Sequence, residues 1–175
     1  MGIFRKPLID PKIVATKLAS FIWKQKDDGN VSWNAAVRTK LGKMGKEKGY
    51  FVYPGVDGPG WLLDLIWMDK KTGAIHLAVE SELGRTIEDV KHDFQKLWCV
   101  KSSLKIMVYY VRDGGSAVAE LEKEMQLFDQ HLEGENYILL EFAKGQKRPE
   151  DAIYHFRVRK GDLLNGRLQA IKFHR

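Results

Sequence analysis

The sequence predicts an α/β domain built on a mixed sheet, and three observations carry that prediction. Apolar residues recur at helical spacing in four separate stretches. Between them lie apolar runs of strand length, two of which, 61 to 69 and 74 to 82, flank a turn-like Lys70-Lys71-Thr72-Gly73 segment and read as a hairpin. Helical and strand runs are interspersed along the chain, the order that gives a sheet covered by helices.

Residues 11 to 26 put Ile13, Val14, Leu18, Phe21 and Ile22 on one stripe, and Asp27, Asp28, Gly29 and Asn30 end that helix. A second helix over 34 to 48 turns Val37, Leu41 and Met44 inward and its lysines outward, and Gly49 stops it. A short strand, Tyr50 to Tyr53, leads into a glycine and proline loop, Pro54 to Gly60, and then into the hairpin. A third helix over 85 to 101 lines up Ile87, Val90, Phe94, Leu97 and Trp98 and feeds the apolar strand Leu104 to Val111. Asp113, Gly114 and Gly115 turn the chain out of that strand. A fourth helix over 116 to 132 is ended by Gly134, and strands Tyr137 to Phe142 and Ile153 to Val158 complete the chain.

At 175 residues, 44% of them hydrophobic, the chain suits one domain with its own core. No apolar run reaches membrane length, and the opening MGIFRKPLIDPK has no secretory pattern, so a cytoplasmic protein is expected. The lone cysteine, Cys99, cannot form an internal disulfide or a cysteine zinc site, and a buried structural role is expected for it. The net charge of +6 has the right sign for a phosphate backbone. Lysines and arginines crowd residues 38 to 48 and the C-terminal part. A solvated helix face explains the first cluster as readily as a nucleic-acid groove does.

The hairpin carries the chemistry. A three-residue loop of Lys71, Thr72 and Gly73 sets Lys70 opposite Ala74, hence Met68 opposite His76, Ile66 opposite Ala78, Asp64 opposite Glu80 and Leu62 opposite Glu82. Side chains alternate along a strand, so Asp64, Glu80 and Glu82 share one face with His76, while Leu63, Leu65, Trp67, Ile75, Leu77 and Val79 share the other. A wet hairpin face would also display acids. Two points argue against that reading: facing like charges destabilise a sheet, and Leu62, Ile66, Met68 and Ala78 make this face mostly apolar. Carboxylates crowded at the rim of a covered face repel one another and gain from a cation.

With the elements in this order, residues 34 to 111 resemble the αβββαβ core of the PD-(D/E)xK, or restriction endonuclease-like, nuclease superfamily. Gly60-Trp-Leu-Leu-Asp64 resembles the family's first acid, and Glu80-Ser81-Glu82 its acid-x-lysine strand, with Glu82 where lysine is common. The resemblance implies a mixed central sheet flanked by helices, here with an extra N-terminal helix and a C-terminal helix and strands, in one nuclease-like domain over 1 to 175. It implies a metal-dependent nuclease, with DNA as the expected substrate. Asp64 and Glu80 would ligate Mg²⁺ or Mn²⁺, helped by water and a backbone carbonyl of the third core strand, and Glu82 would orient or deprotonate the attacking water or hold a second ion.

Some relatives move the missing cation, or a glutamine, to the following helix, which directs attention to Lys91, Gln95 and Lys96. Lys96 falls nearly opposite the apolar stripe, the position of a solvated lysine paired with Asp93, while Lys91 and Gln95 flank the stripe. Arg38, Lys43 and Lys46, with Lys91 and Gln95, are the candidate nucleic-acid contacts, and Asn34 is the nearest candidate for an acid that many relatives carry on the first core helix. The sequence leaves the oligomeric state open, with a homodimer compatible with it. The competing function is a catalytically inactive module of the same fold that binds nucleic acid or a protein partner. The five histidines show no metal-ligand spacing, and Trp61 is the one tryptophan placed to touch a substrate.

Overall fold

A computed structural model of the protein describes residues 9–25, 32–54, 62–111, 115–143, 146–159 and 169–170. The loop around Gly60 and Trp61, the end of the first helix at 27 to 30 and the turn at Asp113 and Gly114 lie outside the described residues, as does part of the basic C-terminal segment.

Helices α1 (Pro11–Gln25) and α2 (Trp33–Glu47) precede strand β1 (Phe51–Tyr53) and the hairpin strands β2 (Leu65–Met68) and β3 (Ile75–Arg85). Helix α3 (Ile87–Trp98), strand β4 (Leu104–Val111), helix α4 (Val118–Leu127) and strand β5 (Asn136–Glu141) follow. A short 3-10 turn (Pro149–Ala152), strand β6 (Ile153–Arg157) and the two-residue strand β7 (Gln169–Ala170) close the sheet; neither the 3-10 turn nor β7 was legible as a pattern.

The strands lie side by side in chain order. β1, β2 and β3 pair antiparallel, β3, β4 and β5 pair parallel, and β6 and β7 return antiparallel. Both parallel steps, β3 to β4 and β4 to β5, advance in the same direction across the sheet. Crossovers of one hand therefore drop α3 and α4 on the same face. The other face is covered by α1 and α2, whose Val14, Leu18, Ile22, Val37 and Leu41 are fully buried against Trp67, Leu77, Val79, Ile106 and Ile138. On the α3 and α4 side, Val90, Phe94, Leu97 and Leu121 pack on Ile66, Ala78, Met107, Tyr137 and Leu139. Ile13, expected on the buried stripe of α1, is instead exposed, because Val14, Ala15, Leu18 and Ala19 already fill the inward arc.

The hairpin reaches the predicted register by a different route. Asp69, not Lys70, pairs with Ala74, and Gly73 donates back to the Asp69 carbonyl at 3.0 Å with φ of +71°, a left-handed backbone suited to glycine. Asp69 Oδ1 accepts from the backbone of Lys71 and Thr72 and from the Thr72 hydroxyl, which holds the longer turn. The added turn residue would slide every pair by one. A bulge between Trp67 and Met68 absorbs it: Met68 pairs with Ile75, Trp67 with Leu77, and His76 is the extra residue. From there Ile66 faces Ala78 and Leu65 faces Val79, the predicted alignment.

The two faces are corrected accordingly. Ile75, before the bulge, packs on the α3 side, while His76 tilts its ring against Tyr50 on the α2 side, so neither sits where strict alternation puts it. Residues 62 to 64 bend out of the strand, which sends Leu63 to the α3 side as well. Helix α4 ends at Leu127, short of the predicted 132, because Phe128 turns extended, stacks on Trp98 and lets His131 reach back to the Met125 carbonyl. Helix α3 starts at a capping box in which Thr86 and Asp89 satisfy each other's backbone N–H groups. It ends at Trp98, which leaves Cys99 exposed and not buried as expected.

Trp67 fixes α2 to the sheet. Its indole N–H donates to the Leu41 carbonyl at 3.0 Å, its ring stacks on Tyr50, and a Cβ at Gly45 would lie 2.6 to 2.8 Å from the ring. Gly45→Ala is expected to lower stability by about 1–2 kcal/mol in urea titration, the overpacking cost exceeding the helix-propensity gain of about 1 kcal/mol.

Candidate functional site

The site forms where β2 bends away from β3. Beyond the Leu65 and Val79 pair the ladder stops, and Asp64 turns its carboxylate across the gap. Asp64 Oδ2 accepts from the Ser81 N–H at 2.8 Å and from the Ser81 hydroxyl at 2.7 Å, and neither bond uses Oδ1. Asp64 is thus half-buried and anchored beside the strand that carries the other two acids.

Glu80 is only 3% exposed, and its Oε1 has no hydrogen-bond partner among the described residues. Burial raises its pKa to about 9, and the Asp64 charge adds to the rise while Lys96 opposes it. The Lys96 ammonium stands 3.8 Å from Glu80 Oε1 and 2.5 Å from Asp93. The expected Asp93 partner is present, but Lys96 is not a solvated lysine, since its side chain is 28% exposed and leans over the sheet toward Glu80. Although burial lowers its pKa, the Asp93 hydrogen bond and Glu80 outweigh that and hold Lys96 charged. Glu82, two residues along β3, is half-buried on the Glu80 face and adds to the negative field there.

Other candidates are placed elsewhere. Lys91 reaches Glu124 at 3.1 Å and Gln95 reaches the same carboxylate at 3.3 Å, so both tie α3 to α4. Asn34, Arg38, Lys43 and Lys46 belong to α2, whose packing face lies across the sheet from Glu80. Among the described residues, no three His, Cys, Asp or Glu side chains stand together as a ready metal cage. Asp64 and Glu80 are the residues that could hold a cation, and their hard carboxylate oxygens would suit one of the magnesium type better than a soft metal.

Sequence reasoning missed a second polar cluster under α4. Lys105, 1% exposed, donates to Glu135 at 2.7 Å and to the Tyr137 hydroxyl at 3.0 Å, and His131 Nδ1 meets the same hydroxyl at 3.0 Å. Burial pushes the Glu135 carboxyl up, but the His131 and Lys105 contacts outweigh it and hold the group below the usual range. A lone lysine in the otherwise apolar strand LKIMVYYV was the signal available. Glu141, also buried, accepts from the Ala117 N–H at 2.8 Å and caps α4, whose own N-cap side chain cannot.

No family model matches the chain, and no curated protein or solved structure matches it either. Among the described residues, no helix is long and apolar enough to cross a membrane.

The raised pKa of Glu80 gives a stability profile of definite sign. The folded protein keeps the proton that the unfolded chain releases, so this contribution is whole below about pH 4.5 and is lost as pH rises to about 9. Without divalent metal, Glu80→Gln should melt above the wild type near the upper end of that window, the gap closing toward the lower end; a gap that does not depend on pH would contradict it. Glu135→Ala, which strands the buried Lys105 charge, should cost about 3–5 kcal/mol in denaturant titration.

Proposed function

We propose that the protein is a divalent-metal-dependent nuclease of the restriction endonuclease-like class, cutting DNA phosphodiester bonds with Asp64, Glu80 and Lys96 as its central set. The observation that carries this reading is the Glu80 carboxylate, buried, short of a hydrogen-bond partner and flanked by Asp64 and an ammonium group. The order of helix, three antiparallel strands, helix and parallel strand supports the αβββαβ reading, with one acid where β2 leaves β3 and the next within β3.

Asp64 and Glu80 would hold Mg²⁺ or Mn²⁺, completed by a backbone carbonyl of β3 and water. Such an ion supplies an activated water at neutral pH and relief of charge on the phosphate. The chain supplies the rest. Ser81 fixes Asp64 through Oδ2 and leaves Oδ1 available for ligation. Glu80 would hold such an ion as the carboxylate, releasing the proton that burial otherwise keeps on it. Lys96 brings from α3 the positive charge that Glu82 does not provide from β3, and it would steady the phosphate. Glu82 takes the part of orienting or deprotonating the water.

The second reading, an inactive module of this fold, draws on the Lys96 and Asp93 pair and on a protonated Glu80, which together reduce the charge repulsion in the site without any ion. Plasmid, linear duplex and single-stranded DNA incubated with Mg²⁺ or Mn²⁺ separate the two. The nuclease reading expects cleavage by the wild type, a loss of about a hundredfold or more in Asp64→Ala, Glu80→Ala and Lys96→Ala, and a rise in melting temperature with millimolar-range metal that Lys96→Ala keeps and Asp64→Ala loses. Intact substrates together with an unchanged melting temperature would support the inactive module.

A further inference from the structure

Among the described helices, positive charge is concentrated in one layer. Helix α1 carries Lys12, Lys17 and Lys24 and no acid. Helix α2 carries Arg38, Lys40, Lys43 and Lys46 against Glu47 alone. Seven cations less one anion equal the +6 of the whole sequence, so everything outside these two helices is formally balanced. The opposite helical layer has the other sign, with six acids against three lysines in α3 and α4. A merely solvated helix face mixes its charges; this layer sets seven cations against the single acid Glu47 and stands on one side of the sheet.

We propose that the outer surface of the α1 and α2 layer is a second binding surface for a nucleic-acid phosphate backbone, on the side of the sheet away from Glu80. The assignment of the polymer rests on the nuclease reading above; the surface itself rests on the charge distribution. The sheet stands between this surface and Glu80, so the two cannot grip the same few phosphates. It holds a stretch of polynucleotide beyond the segment at the carboxylates, by charge and without regard to sequence. An anionic membrane is the less suitable occupant. A helix lying in a bilayer interface turns its apolar side outward, whereas Val14, Leu18, Ile22, Val37 and Leu41 face the sheet and Ile13 is the one large apolar side chain exposed on the described part of the layer.

The test measures binding without cleavage, on the Asp64→Asn protein in chelator, so that failure of the nuclease reading leaves its result intact. A labelled long duplex is titrated over a range of salt against that protein and two derivatives. One carries Lys17→Glu, Lys24→Glu, Lys43→Glu and Lys46→Glu, all at exposed positions of the layer; the other carries the same number of reversals at exposed positions elsewhere, Lys70→Glu, Lys71→Glu, Lys101→Glu and Lys123→Glu. The two derivatives have equal net charge. The first should lose affinity by about a hundredfold at low salt, with a salt dependence shallower by about 0.9 in log-log slope for each phosphate contact removed, and the second should lose far less. Glutamine in place of glutamate at the same four positions of the layer, with the melting temperature preserved, should show the loss in weaker form. Equal losses in both derivatives, or none in the first, would overturn the proposal. So would binding of phosphatidylserine vesicles in place of DNA, or salt-sensitive self-association of the wild type through its two oppositely charged layers.

Discussion

Two hydrogen bonds from Ser81 to one oxygen of Asp64 hold the site in register, and most of what surrounds them serves to keep those atoms together. They join the point where β2 leaves the sheet to the middle of β3, with no ladder beyond Leu65 and Val79 to do so. Because the anchored residue is an acid, the same bonds that stabilise the bend bring its charge next to Glu80. The crowding is tolerated because Glu80 keeps its proton and Lys96 lies close by, itself steadied by Asp93. Local geometry, proton binding and electrostatics are here one arrangement.

The two faces of the sheet divide the work. On the α3 and α4 side, polar and charged groups are drawn inward: Lys96 toward Glu80, Lys105 toward Glu135, Glu141 onto the start of α4. Buried charges of this kind demand partners, and the partners fix the helices that carry them. On the α1 and α2 side the interior is apolar and ionic groups stand outside, so the helices are held by packing, with Trp67 and Gly45 as the tightest fit. One layer is organised around polar chemistry within, the other around what it presents to solvent.

Element types and their order could be read from the sequence because hydrophobic period and turn residues act locally. The strand at Leu104 to Val111 and the stripe of α3 are examples. What could not be read depended on contacts between distant residues. Nothing near Phe128 announces that α4 must stop so that Phe128 can meet Trp98, and nothing near Lys105 names Glu135 as its partner. Within the site, the alternation rule identified Glu80 and Glu82 as neighbours on one face, but the expected rungs of Asp64 with Glu80 and of Leu62 with Glu82 do not form, because the chain bends out of the strand at 62 to 64 and Asp64 meets β3 through Ser81. That rule failed at Leu63, Ile75 and His76, where a bend and a bulge interrupt the strand. The role of Lys96 was hidden because a helical wheel shows which way a side chain starts, and a long flexible stem does not end where it starts.

The bulge at His76 has a further meaning for how such a hairpin can change. It takes up a surplus residue from the turn before that residue can reach Leu65, so the tip of the hairpin and the acids at its base are uncoupled. Insertions and deletions at the tip need not move the chemistry at all. A change of length between Asp69 and Ala74 would therefore leave Ser81 and Glu80 aligned with Asp64.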